Sequence, residues 1–222
     1  MTSNTKEGVI IRSMVLEDYE NVKLFMKKEY FTAEPLCKSS GEAVHLQNEK
    51  ENDAINISMI AQGTSLLALD ENDGGRIVGF VLAGAELPED VERNCRIAET
   101  LEDNAWGRIF RIIAKAEHEA NIFERYGISK ALYSHVTCVA ASMRGKGLGS
   151  RLAATLMDLG RSRGFPAMVA YCTSFYSARQ KEALGMQCIY SLDYTDYKDD
   201  RGRVIFTPAA PHTTLQVMAI KL

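Results

Sequence analysis

The spacing of apolar positions changes several times along the chain, and each change marks an element. Residues 9–12 read as a short strand. From about Glu17, the spacing of Tyr19, Val22, Phe25 and Met26 puts apolar side chains on one helical face that ends near Lys28. Residues 31–35 then break the helix, because the ring of Pro35 pushes Glu34 out of the helical region. Ser39-Ser40-Gly41-Glu42 has the form of a capping box for a further segment. A helix over about residues 52–62 closes at Gly63, a residue suited to a left-handed cap.

Two strand-like runs, 65–69 and 76–85, flank Asp70-Glu71-Asn72-Asp73-Gly74-Gly75, where Asp and Gly supply hairpin chemistry. Residues 89–125 are charged and helix-favouring, with Ile109, Phe110, Ile112, Ile113 and Ala116 on an apolar stripe. They predict two helices, the second ended by Gly127. A strand over 132–139, a helix over 147–163 stopped by Gly164 and a short buried strand over 167–172 follow. A short helix over 177–184 and strands over 187–194 and 213–221 complete the chain. Hairpins come first and β-α-β crossovers later, so the fold class is α/β (α+β), with a mixed sheet covered by helices. No repeat or linker divides residues 1–222, which predicts a single domain.

Composition narrows the function more than the fold. With 46% hydrophobic and 25% charged residues, the chain has ordinary globular usage. Twenty-six basic against 29 acidic side chains argue against a broad nucleic-acid surface. The apolar run over 77–85 is too short to span a bilayer, and the polar start lacks a secretion signal. The expectation is a cytoplasmic monomer with no membrane or nucleic-acid partner. His45, His118, His135 and His212 are scattered without metal-ligand spacing, so no metal is expected. Five cysteines without a CxxC predict reduced thiols, with Cys138 and Cys172 as core filler.

The sharpest chemical signal is Arg144-Gly145-Lys146-Gly147-Leu148-Gly149-Ser150, set between a strand and a strong helix. Glycines let the main chain approach a ligand, and free amides at a helix start hold phosphate. A Walker loop fails because Gly147, not Ser or Thr, follows Gly145-Lys146. A dinucleotide fingerprint fails because Ser150 holds its third glycine position and the next strand, Met168-Val169-Ala170-Tyr171-Cys172, carries no acid.

Arg144-x-x-Gly147-x-Gly149 resembles the (Q/R)-x-x-G-x-(G/A) loop of the GNAT superfamily of acyl-CoA-dependent N-acyltransferases. The resemblance extends over nearly the whole chain. Phe31-Thr32-Ala33-Glu34-Pro35-Leu36, Ser177-Ala178-Arg179 with Leu184-Gly185-Met186, and Phe206-Thr207-Pro208-Ala209-Ala210-Pro211-His212 look like the insect arylalkylamine N-acetyltransferases, a group that includes dopamine and agmatine N-acetyltransferases.

That resemblance implies a GNAT fold, a mostly antiparallel mixed sheet splayed in the middle, with acetyl-CoA in the cleft. It implies that Arg144, Gly145, Lys146, Gly147, Leu148, Gly149 and Ser150 hold the diphosphate. Cys138 and Val139 would offer backbone hydrogen bonds to the pantetheine, and Ser174 would touch the cofactor. Glu34 would be the general base that deprotonates a small primary amine, with Pro35 and His212 shaping the amine pocket. His212 would also be a candidate proton relay. The leaving thiolate needs a donor. Many GNAT enzymes carry a Tyr four residues before the late glycine, but that position is Lys181 here, which turns attention to Ser174 and Ser177, with Tyr176 as another candidate. Ser177 also forms S-x-x-Q with Gln180, a capping box. No cysteine neighbours an evident His/Asp set, so direct attack in a ternary complex is expected. Two other functions fit the same turn: a non-catalytic acyl-CoA sensor and a protein N-terminal acetyltransferase.

Overall fold

The computed structural model describes residues 8–222. A strand over Val9–Ser13 (β1) leads to a helix over Tyr19–Phe25 (α1), which continues as a π-helical turn over Met26–Tyr30. Helices over Pro35–Ser40 (α2) and Glu49–Ala61 (α3) follow, then strands over Leu66–Asp70 (β2) and Arg76–Glu86 (β3). Three helices, Pro88–Thr100 (α4), Ala105–Ala120 (α5) and Ile122–Tyr126 (α6), separate β3 from a strand over Ala131–Val139 (β4). The chain closes with Leu148–Ser162 (α7), Ala167–Cys172 (β5), Phe175–Ala183 (α8), Gln187–Asp193 (β6) and Thr214–Lys221 (β7).

The strands form one seven-stranded sheet in the order β1-β2-β3-β4-β5-β7-β6. All neighbours are antiparallel except β4 and β5, which run parallel. That pair registers only through Leu132 with Met168 and Tyr133 with Val169. Beyond Tyr133 the two strands part, leaving the main chain of β4 with an open edge. The sheet is therefore two hairpin-built halves joined along a short seam, the splayed GNAT arrangement.

Burial follows that split. On one face, Leu148, Leu152, Leu156 and Met157 of α7 and Ala178 of α8 pack on Val81, Leu132, Met168 and Met218, one continuous core across the seam. The period of α7 places those leucines at i, i+4 and i+8. The opposite face carries two separate cores. Tyr19, Val22, Met26 and Ile60 pack on Leu67, Phe80 and Leu82 of the first half, while Ile112, Ala116, Ala120 and Phe123 pack on Val169, Leu215 and Val217 of the second. A cavity opens between them.

Several local expectations are corrected. Pro35 does not simply end a helix: it occupies the first position of α2, where its missing N–H costs nothing, and Glu34 is the extended N-cap. Ser39-Ser40-Gly41 ends that helix instead of starting another, with Gly41 left-handed at φ 68°. Residues 88–126 form three helices, not two, because Asn121 at φ 36° breaks α5 from α6. The helix α8 starts two residues before the expected Ser177, since Ser174 caps it.

Candidate active site

The glycine turn is positioned by backbone rules. Gly145 (φ 74°) and Gly147 (φ 80°) both adopt left-handed conformations that side-chain-bearing residues avoid. A Cβ built on either would meet nothing within 4 Å, so the space over the loop is clear. Gly147 is the N-cap of α7, and the first helical bond runs from the Arg151 amide to the Gly147 carbonyl. The amides of Leu148, Gly149 and Ser150 thus have no intrahelical acceptor and share the positive end of a long helix. Lys146 is exposed beside them. These groups fit a diphosphate.

The open edge of β4 is a run of alternating main-chain groups. The Ala140 amide donates to the Val78 carbonyl of β3. In an antiparallel ladder every second residue faces the partner strand. Cys138, opposite Phe80, therefore turns its amide and carbonyl to β3, whereas Val139 and Thr137 turn theirs to the open edge. The expectation that Cys138 offers its backbone to the pantetheine is corrected on this ground. Thr137, which sequence reasoning did not name, faces the same edge, and strand alternation together with the β3 register finds it. The Cys138 side chain is buried against Phe80 and Val136, where burial pushes its thiol up to about 12.

Arg144 folds back over this edge. Its Nε donates to the Val139 carbonyl at 3.1 Å, and its Nη2 donates to the Glu29 carbonyl at 3.2 Å. Glu29 in turn accepts from the Ala141 amide at 2.8 Å.

Glu34 is 7% exposed. One carboxylate oxygen accepts from the Cys37 amide at 2.6 Å, the N-cap bond of α2. The other accepts from Thr173 Oγ1 at 2.7 Å, across 139 residues of sequence. Thr173 lies just past β5, and its carbonyl accepts from the Tyr194 hydroxyl at 2.7 Å. The carboxylate is thus clamped from α2 and from the far half of the sheet, with both bonds donated to it. Pro35 is buried and sets the extended backbone of Glu34. The neighbouring Cys37 thiol is pushed well up, first by burial and then by Glu34, which disfavours its thiolate.

Ser174 caps α8 by accepting from the Tyr176 amide at 3.2 Å. Ser177 lies inside the first turn and donates to the Ser174 carbonyl at 2.8 Å, so the S-x-x-Q box with Gln180 does not form. His212 Nδ1 accepts from the Phe175 amide at 3.2 Å, and its ring meets Tyr176 edge-on. Burial pushes the imidazole down, while Glu34 pulls the other way. The structure therefore gathers Glu34 and Thr173 at one point and places Ser174, Ser177 and His212 together at the start of α8. Lys181 is fully buried under that helix, and its amine finds no hydrogen-bond partner among the described residues. Burial pushes its pKa down.

The cavity beside Glu34 has a volume of about 690 Å3. Glu34, Thr173, Tyr133, His135 and Tyr171 line it, as do Trp106 and Phe110, which stack at 5.3 Å. Two further acids line it. Glu86 accepts from the Tyr171 hydroxyl at 3.1 and 3.0 Å, and Glu117 accepts from Asn94 at 3.2 and 3.0 Å. Burial raises the pKa of both, and the proximity of Glu117 raises Glu86 further. His135, with Nδ1 2.9 Å from the Tyr133 hydroxyl, is pushed down to about 4 by burial and is neutral near pH 7. Among the described residues no helix is long and apolar enough to cross a membrane.

Comparison with known proteins agrees with this geometry. Residues 34–181 match the Acetyltransferase (GNAT) family. A mosquito arylalkylamine N-acetyltransferase like 5b is 29% identical with a TM-score of 0.84, over 96% of this chain and 100% of that one. The Drosophila melanogaster polyamine N-acetyltransferase, which forms N-acetylagmatine, is 29% identical with a TM-score of 0.85, again over 96% and 100%. Arylalkylamine N-acetyltransferase 2 from Aedes aegypti is 25% identical with a TM-score of 0.86, over 96% and 98%. With its splayed sheet, its glycine turn and this match, the chain belongs to the GNAT family of acetyltransferases.

Proposed function

We propose that this acetyltransferase acetylates small primary amines, with Glu34 as general base and no acyl-enzyme. The observation that carries the reading is the doubly held Glu34 carboxylate on the wall of a cavity that adjoins the splayed edge of β4. Acetyl-CoA supplies the acetyl group as a thioester. Val139 and Thr137 offer it main-chain hydrogen bonds, and residues 144–150 hold its diphosphate. An alkylamine is mostly protonated near neutral pH, since its pKa resembles that of lysine. Glu34 attracts the cation and takes its proton, directly or through one water, so that the free lone pair attacks. Cys37 and Thr173 keep the carboxylate pointed into the cavity while this happens. Ser174, Ser177 and His212 lie at the start of α8, where a hydroxyl or imidazole is available to the departing thiolate.

The cavity walls suit two amine classes. Trp106, Phe110, Tyr133 and Tyr171 offer faces to an aryl ring, while Glu86 and Glu117 offer buried acids that a second cation would draw into the charged form. The test is release of the CoA thiol with a panel of dopamine, serotonin, tryptamine, agmatine, spermidine and a short peptide. Turnover of any small amine above the peptide supports the reading. Turnover of the peptide alone identifies a protein N-terminal acetyltransferase, and CoA binding without turnover of any acceptor identifies a sensor. The chain is read as one domain over residues 1–222.

A further inference from the structure

The arm that carries Glu34 is tied to the cofactor turn by one side chain that neither the glycine motif nor the base requires. Glu29 sits in the π-helical turn over Met26–Tyr30, five residues before Glu34. Its carboxylate is 14% exposed and accepts from the Ala141 amide at 2.8 Å. The Arg144 guanidinium lies 3.6 Å from the same oxygen and donates to the Glu29 carbonyl at 3.2 Å. The bond to the Glu29 carbonyl has a local cause. In the π-helical turn the Phe31 amide reaches back to the Met26 carbonyl, and the amides of Ala33 and Glu34 both go to Tyr30, so the Glu29 carbonyl is left for Arg144.

Two groups at the edge of the cofactor site are therefore satisfied by the chain itself. A carboxylate sits on the amide at the head of the turn, as an anion would. The Val139 carbonyl, which faces the open edge of β4, is held by Arg144 Nε. A ligand that takes the place of Arg144 Nε at the Val139 carbonyl displaces Arg144, and Arg144 is anchored to the arm.

We propose that Glu29 is a positioning residue that transmits occupancy of the cofactor turn to the arm bearing Glu34. The inference rests on residues 144–150 being the cofactor turn. When Arg144 leaves the Val139 carbonyl, its remaining contacts are those to Glu29. The π-helical turn then carries the change along the main chain through Tyr30 to the Glu34 amide and the start of α2. Glu29 itself does not line the cavity.

Amide hydrogen exchange with free CoA as the probe tests this without any amine. In the unmodified protein, CoA slows exchange over residues 145–150 and also over residues 33–40, the latter by about fivefold or more. In Glu29→Ala the turn still gains protection, while the gain over residues 33–40 disappears. Glu29→Gln, whose amide oxygen still accepts from the Ala141 amide, restores at least half of it. In acetylation assays Glu29→Ala lowers kcat with little change in KM for acetyl-CoA. Equal protection of residues 33–40 in Glu29→Ala and the unmodified protein overturns the proposal, as does no protection there in the unmodified protein. Absence of protection over residues 145–150 would instead remove the cofactor-turn assignment, and the coupling with it.

Discussion

The two halves of the candidate site are built from different materials. The side we assign to the cofactor is main chain: two left-handed glycines, three amides at the start of α7 without an intrahelical acceptor, and the open edge of β4. The side we assign to the amine is side chain: one carboxylate held by Cys37 from its own turn and by Thr173 from the other half of the sheet. Main-chain sites need only the right backbone angles and tolerate many side chains around them. Side-chain sites need specific partners brought from distant positions, and losing any partner alters the chemistry itself.

The largest expected effect is on the amine side. Glu34→Gln keeps the volume and both donors but loses the base, so turnover falls by about 10²–10⁴-fold. CoA affinity measured by calorimetry stays within about threefold, because the main-chain side is intact. Equal loss of both would dissolve the distinction between the halves. Gly147→Val reverses the pattern. A β-branched residue at φ 80° costs about 1–3 kcal/mol, so the free loop relaxes away from that angle, and CoA binding, which must restore it, weakens by roughly 5- to 150-fold although the space around the Cβ position is open. Thr173→Val removes one donor from Glu34 and lowers kcat/KM for the amine by about tenfold, and Thr173→Ser restores it. The restoration separates the hydroxyl from mere packing.

Acid provides the mildest probe. His135 is held neutral, its pKa depressed from the ordinary value to about 4, so its contribution to stability is whole above the unfolded pKa. That contribution fades as pH falls from about 6.5 through 4. Melting temperatures from pH 8 to 4 should drop less steeply in His135→Gln than in the unmodified protein. An unchanged slope would show that the cavity wall does not resist protonation.

What the sequence disclosed follows the same division. The glycine turn, α7 and the strands on either side were legible because their signals are local: glycine at fixed offsets, a 3.6-residue period, apolar runs of strand length. Glu34 was legible as a residue but not as a cap, since Pro35 reads equally as a breaker or as the first position of a helix. Ser177 has the spacing of a cap with Gln180, and only three-dimensional contacts show that Ser174 holds that place. The backbone direction of Cys138 depends on which residue of β3 it faces, a register that no single strand contains. The link from Thr173 to Glu34 spans most of the chain and leaves no periodic trace. The three helices between β3 and β4 were under-counted because a left-handed asparagine is a weaker stop signal than glycine.

The seam of two registered positions between β4 and β5 has a consequence for how such a protein changes over generations. Drift in α3, α4 and α5 can reshape the chamber wall while the α7 core and its loop stay as they are. On the assignment proposed above, such a chain can trade one acceptor molecule for another by repainting one chamber, with the donor machinery left unaltered.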